Sequence, residues 1–200
     1  FRHNWYGRMV SALDTGAIQR TQNNADLAHA VATLLDVRPG EPCLDFGAGP
    51  GRDGEAFVAA GVDFVGLDLA RANGVLAAER GIRVVQGSVK APPFRAGCFD
   101  AGWSMSTLMH VSEDEVPSTL SAMFVPLRPG APFVVGLWGG DQGDVISEVG
   151  IDGHQRLFSL RPLAVNRRLL ASGAMVERAC TWDLGDDEWQ YQVFQLRVGC

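Results

Sequence analysis

Apolar positions along the 200-residue chain recur first with a helical period and then in strand-like runs. Leu27, Val31, Leu34 and Leu35 share one face of a helix predicted over 24–37. Asn23 or Asn24 caps it and Arg38-Pro39-Gly40 ends it. From residue 42 the pattern changes. A strand over 42–47 is followed by a helix-competent segment over 52–60. The apolar run 62–67 predicts a buried strand, 71–80 a helix, 82–85 a third strand and 98–103 a fourth. A helix over 113–125 ends near Leu127-Arg128-Pro129-Gly130, and Pro132 to Trp138 gives a fifth strand. Near-continuous apolar strands separated by helices predict a parallel sheet covered on both faces.

The tail reads differently. Residues 139–156 are rich in Gly and Asp and predict a loop, and 161–172 a helix. Two β-patterned runs, 174–184 and 190–198, flank Gly185-Asp186-Asp187-Glu188 and predict an antiparallel hairpin that closes the sheet. The expected fold is α/β: a Rossmann-like three-layer sandwich with a mostly parallel seven-stranded sheet and an antiparallel C-terminal hairpin.

Composition narrows the class. The apolar fraction is 46% and the charged fraction 20%, as in ordinary globular domains. A net charge of −6 argues against a nucleic-acid partner, because phosphate binding needs a basic surface. Arg161, Arg167 and Arg168 are the one basic group of note, and they read as a solvated helix face. Four cysteines show neither a CxxC pair nor zinc-ligand spacing, so no metal is expected. Cys43 and Cys180 fall in apolar runs and read as buried thiols. No run approaches the roughly 20 apolar residues that span a membrane. The chain opens on Phe1 without a charged-then-apolar leader pattern, so a start upstream and a cytoplasmic location are expected.

Candidate chemistry centres on Asp45-Phe46-Gly47-Ala48-Gly49-Pro50-Gly51, a glycine turn between a strand and a helix. Such a turn brings backbone amides close to a ligand. The dinucleotide fingerprint GxGxxG is not met, because Arg52 holds the third glycine position. A P-loop is excluded, since no Gly-Lys-Ser/Thr follows.

These residues resemble the first motif of class I S-adenosylmethionine-dependent methyltransferases, small type-11-like domains included. Gly66-Leu67-Asp68-Leu69 resembles the second motif, Val85-Gln86-Gly87-Ser88-Val89 the third and Phe99-Asp100 to Val111 the fourth. Leu127-Arg128-Pro129-Gly130 resembles the segment before the fifth strand. The segments fall in register over residues 40–198.

The resemblance implies S-adenosyl-L-methionine as cofactor and S-adenosyl-L-homocysteine as product. Asp45 is expected to face the methionine ammonium, or else to hold the loop's own amides. Gly47, Ala48, Gly49 and Gly51 would pass beneath the ligand. Asp68, 17 residues beyond Gly51, would take both ribose hydroxyls, with helix capping as its structural alternative. Relatives often carry Asp where this chain has Ser88, so adenine is expected to rest on Leu69 and Val89 and on the Val89 amide. Trp103 and Ser104 would line the cofactor or methyl site.

His110 is the base candidate, in a segment after the fourth strand, with a structural or capping role as its alternative. Tyr6, Met105, Met109, Trp138 and His154 are expected on the substrate side, with Trp5 and Phe158 nearby. The expected division is one domain: a helical cover (1–38), a cofactor-binding core (39–138), a substrate-side loop (139–160) and a C-terminal helix and hairpin (161–200). The reading is methyl transfer to O, N or S of a small-molecule acceptor, mainly by positioning, in a monomer or homodimer without membrane or nucleic-acid partners. A protein- or RNA-directed enzyme and an inactive cofactor-binding scaffold are the alternatives.

Overall fold

A computed structural model describes residues 35–146, 155–183 and 189–199. The chain runs through β1 (Pro42–Phe46), α1 (Arg52–Ala59), β2 (Asp63–Asp68), α2 (Arg71–Glu79), β3 (Val84–Gln86) and β4 (Ala101–Met105). It continues through α3 (Val116–Phe124), β5 (Pro132–Gly139), β6 (Gly143–Ile146), β7 (Leu157–Leu160), α4 (Leu163–Leu170), β8 (Ala174–Asp183) and β9 (Gln190–Val198). The main sheet has seven strands in the order β3-β2-β1-β4-β5-β9-β8. The first five are parallel, and β9 runs antiparallel to both β5 and β8.

This order places a topological switch point between β1 and β4. The chain leaves β1 toward β2 and β3 on one side, then crosses to β4 and β5 on the other. In open α/β sheets, ligands bind at the carboxyl ends of strands flanking such a point.

The central strands are apolar because both faces are covered. In β5, Val134 joins one cluster with Phe57, Phe64, Trp103 and Val193, while Phe133 and Val135 join another with Phe46, Leu120 and Phe194. Phe57 of α1 stacks on Phe64 and meets Trp103 edge-on, both with centroids 5.3 Å apart. Each such buried ring contributes roughly 1.5–3 kcal/mol. The close approach of α1 to β2 depends on Gly54, where a Cβ would fall 2.6 Å from the Phe64 ring.

Three departures from the expected elements have local causes. The helix over 113–125 is divided into a 3₁₀ turn (Glu113–Glu115) and α3, with Pro117 at the first α-turn, where its missing N–H costs nothing. The segment 139–156 is not wholly loop: β6 pairs with β7 in a separate two-stranded sheet, with Val145 opposite Phe158 and Ile146 opposite Leu157. Arg161 is not on a solvated face. It is 2% exposed, while Arg167 and Arg168 are exposed in the last turn of α4, where cations suit the helix dipole. Residues 24–34 of the helix expected over 24–37, and the turn Gly185–Glu188, lie outside the described residues; Leu35 and Asp36 form a turn.

Candidate functional site

The glycine loop leaves β1 and is held by β2. Gly47 and Ala48 both donate their amides to the Leu67 carbonyl, at 2.8 and 3.0 Å. Gly47 has φ 84°, and a Cβ there would lie 1.9 Å from Thr107 Oγ1. Both the left-handed backbone and the close neighbour therefore require glycine. Gly49 donates its amide to Asp68 Oδ2 at 2.8 Å. Gly51 stands at the N-cap of α1, and no side chain caps that helix.

Asp68 is positioned by three donors. Oδ2 takes Gly49 N, while Oδ1 takes Ala70 N at 2.8 Å and Asn73 Nδ2 at 3.0 Å. The N-cap of α2 is Ala70, without a side-chain cap bond, so the Asp68 carboxylate ties the glycine loop to the turn after β2 instead.

Asp45 ends up under this loop, 1% exposed, and its Oδ1 has no hydrogen-bond partner. Burial pushes its carboxyl well above the usual carboxylate range, and the neighbouring Asp53 and Asp68 push it the same way. Asp53 accepts the Trp103 indole N–H at 3.1 Å. Among the described residues no lysine, arginine or histidine forms an ion pair with any of these three carboxylates. A buried acceptor without a donor, facing two more acids, is an environment that suits a cation. An ammonium group fits this set of acceptors, and the oriented Asp68 carboxylate suits the hydroxyls of a polar ligand beside it.

The exit from β4 is bound to the same loop. Ser104 and Thr107 both donate hydroxyls to the Phe46 carbonyl, at 2.9 and 3.0 Å. Ser104 is fully buried, so its hydroxyl serves the fold rather than an open surface. Trp103 is likewise fully buried, and Met109 lies in the core at 5% exposure. Met105 and Trp138 are half-buried around Tyr191, whose hydroxyl lies 3.8 Å from Met105 Sδ and whose ring meets Trp138 at 5.1 Å.

Ser88 uses its hydroxyl to accept Lys90 N at 3.2 Å. Lys90 Nζ reaches Glu115 Oε1 at 2.7 Å, which ties the loop after β3 to the segment after β4. Leu69 is 73% exposed and Val89 packs partly against the core. Tyr6, Trp5 and His154 lie outside the described residues.

His110 closes a 3₁₀ turn (Leu108–His110) and is exposed. Its Nδ1 lies 2.7 Å from the Leu157 carbonyl, and its ring meets Phe158 edge-on at 4.9 Å. A carbonyl only accepts, so Nδ1 carries the proton and Nε2 of the neutral ring is an acceptor.

Two site residues were not singled out from the sequence. Ser106 follows β4 with φ 59°, its amide donating to Gly136 O at 2.7 Å and its hydroxyl 3.1 Å from Tyr191 OH. Non-glycine residues in this conformation cluster at functional sites. The available signal was Gly136 inside an apolar strand, where a Cβ would fall 2.4 Å from Met105 Sδ and 2.8 Å from Tyr191 OH.

The family model described as a methyltransferase domain matches residues 43–130. No curated protein is recognisably similar to the chain. Among solved structures, an S-adenosylmethionine-dependent methyltransferase from Methanosarcina mazei superposes with a TM-score of 0.72 at 14% identity, over 82% of this chain and 95% of that one. The 1,6-didemethyltoxoflavin N1-methyltransferase of Burkholderia thailandensis, with its substrate and S-adenosylhomocysteine bound, gives 0.69 at 22% identity, over 98% and 88%. The geranyl diphosphate C-methyltransferase of Streptomyces coelicolor A3(2) gives 0.66 at 16% identity, over 86% and 80%.

Proposed function

We propose that this chain is a class I S-adenosylmethionine-dependent methyltransferase that methylates an oxygen, nitrogen or sulfur of a small, mostly apolar molecule; the methyltransferase-domain match over residues 43–130 and the fold shared with solved methyltransferases support this reading. The orphaned Oδ1 of Asp45 carries this reading. It is the acceptor for the methionine ammonium, a charge-assisted contact that relieves the cost of a buried, unpaired acid. Asp68 offers its two oxygens to the ribose hydroxyls, and Leu69, Ser88 and Val89 hold adenine. When bound, the cofactor supplies the methyl group, the positive charge and the leaving group of an in-line displacement.

The protein's own work is alignment and exclusion of water. The Phe46 carbonyl, gripped by Ser104 and Thr107, fixes the cofactor loop relative to the segment that carries His110. His110 Nε2 accepts the proton of an acceptor that enters with one. Met105, Trp138 and Phe158 supply an apolar wall, and residues 139–146 and 155–160 form the described part of the acceptor side. Two structural neighbours bind 1,6-didemethyltoxoflavin and geranyl diphosphate, both small molecules, and the chain's acidity disfavours a polyanionic partner.

Calorimetric titration with S-adenosylmethionine tests the cofactor site, and a panel of small acceptors assayed for S-adenosylhomocysteine formation tests the acceptor class. Absence of binding at millimolar cofactor would overturn the proposal.

A further inference from the structure

Arg161 immediately follows β7 and is 2% exposed. Its guanidinium donates to four oxygens: Leu108 O at 3.0 Å, Val111 O at 3.0 Å, Ser159 Oγ at 2.8 Å and Asn166 Oδ1 at 2.8 Å. No carboxylate lies within ion-pair distance among the described residues. The nearest negative charge reaches it through Ser159, whose hydroxyl donates to Asp144 Oδ1. A buried cation held by neutral oxygens is costly, so its use as mere filler is disfavoured.

The targets of this guanidinium are specific. Leu108 and Val111 bracket His110, one on each side of the 3₁₀ turn. Ser159 belongs to β7, the strand that offers the Leu157 carbonyl to His110 Nδ1 and the Phe158 ring to its edge. One planar group therefore sets the spacing between the imidazole and the carbonyl that decides its tautomer. Guanidinium alone among side chains has enough donors in one plane to do this.

The rear of Arg161 is locked to the sheet. Its carbonyl accepts Gln192 Nε2 at 3.1 Å, Asn166 Nδ2 at 3.3 Å and Gly140 N at 3.3 Å. Asn166 Nδ2 also donates to Gln192 Oε1 at 2.8 Å. Gly139 makes room for this arrangement, since a Cβ there would lie 2.0 Å from Gln192 Nε2 and 2.6 Å from Arg161 O.

We propose that Arg161 is a positioning residue that fixes His110 with its proton on Nδ1 and its lone pair on Nε2, ready for an acceptor that brings an O–H or N–H proton. The catalytic use of that lone pair rests on the reading of His110 given above; the tautomer itself does not. Without the Leu157 contact the imidazole distributes its proton between both nitrogens.

Long-range ¹H–¹⁵N correlation spectra of the ¹⁵N-histidine-labelled full chain, in mildly alkaline buffer, read the tautomer directly. His110 is assigned by the signal that His110→Gln removes. The wild type is expected to show a protonated Nδ1 and a bare Nε2. Arg161→Met is expected to lose that signature and give exchange-averaged nitrogens, while still melting cooperatively and binding S-adenosylmethionine as the wild type does. If Arg161→Met does not fold, Arg161→Lys carries the same test. It keeps the charge but reaches one carbonyl at a time, so partial averaging is expected. A wild type protonated on Nε2, or a folded Arg161 variant that keeps the Nδ1–H signature, overturns the proposal. The readout needs neither substrate nor turnover. Failure of the methyltransfer reading would appear instead as lost cofactor binding in the wild type.

Discussion

A Cβ placed on Gly47 falls 1.9 Å from Thr107 Oγ1, and that hydroxyl donates to the Phe46 carbonyl 3.0 Å away. The first glycine of the cofactor loop and the first turn after β4 are thus interlocked. Space for the ligand loop is defined by a residue sixty positions downstream. Gly47→Ala is expected to cost about 1–2 kcal/mol for the left-handed backbone alone, with the steric overlap added to it. Thr107→Ala in that background removes the overlap but not the backbone strain, so it recovers part of the loss. Thermal melts of the two single variants and the double variant measure the coupling. Purely additive losses would show that the two residues do not constrain each other.

Asp45 predicts a trade between stability and binding. Its carboxyl holds its proton above the ordinary range because of burial, with Asp53 and Asp68 adding to the effect. Between the ordinary value of about 4 and the raised folded value, the native protein binds more protons than the unfolded chain. Cofactor-free stability therefore falls as pH rises through that window. Asp45→Asn removes the titration and supplies a donor for the neighbouring carboxylates. It is expected to raise cofactor-free stability at neutral pH by roughly 1–3 kcal/mol, the usual cost of an unsatisfied buried oxygen, and to flatten the pH dependence. The same change weakens S-adenosylmethionine binding by about tenfold or more, since a charge-assisted bond is lost. Denaturant titrations at mildly acidic and neutral pH, with calorimetry, check both halves. An Asn variant that is no more stable and binds normally would remove Asp45 from the site.

Strand positions were legible because β1, β2, β4 and β5 are buried on both faces, which leaves uninterrupted apolar runs. The backbone of the glycine loop was legible for a related reason: closely spaced glycines between a strand and a helix mark a turn with left-handed backbone, as at Gly47, Gly49 and Gly51. Other features depend on contacts that no local pattern encodes. Gly54 belongs to none of the motifs read from the sequence, yet it admits the Phe64 ring where α1 crosses β2. Arg161 read as one of three surface arginines, but its partners come from residues 108, 111, 159 and 166. The β6–β7 pair was hidden by its brevity and by the Gly and Asp around it; four residues are too few for alternation to stand out. Ser104 looked like a ligand-facing hydroxyl, and only the register of β4 against β1 shows that it is spent on Phe46 O.

Ser88 offers a gain-of-function test. Its hydroxyl accepts the Lys90 amide, a role an aspartate fills equally well in a turn. Ser88→Asp adds a charged acceptor for the adenine amino group, and charge-assisted bonds are roughly twice as strong as neutral ones. Cofactor affinity is expected to rise by up to about tenfold, the equivalent of about 1.4 kcal/mol. Calorimetry on the two proteins reads the change. Equal or weaker binding by the variant would place adenine away from residue 88.

His110 separates binding from turnover. It stands outside the proposed cofactor contacts, with Nδ1 held by the Leu157 carbonyl and the ring edge against Phe158. Its removal is expected to leave S-adenosylmethionine affinity unchanged. Once an acceptor that carries a proton is identified, His110→Ala is expected to lower kcat by about 10²–10⁴, the usual contribution of a positioned base. An acceptor that enters already deprotonated needs no such base, and its turnover should survive the substitution. Steady-state kinetics on one acceptor of each kind, with cofactor affinity measured in parallel, distinguishes these outcomes. Undiminished turnover with both acceptors would show that Nε2 takes no proton in the reaction.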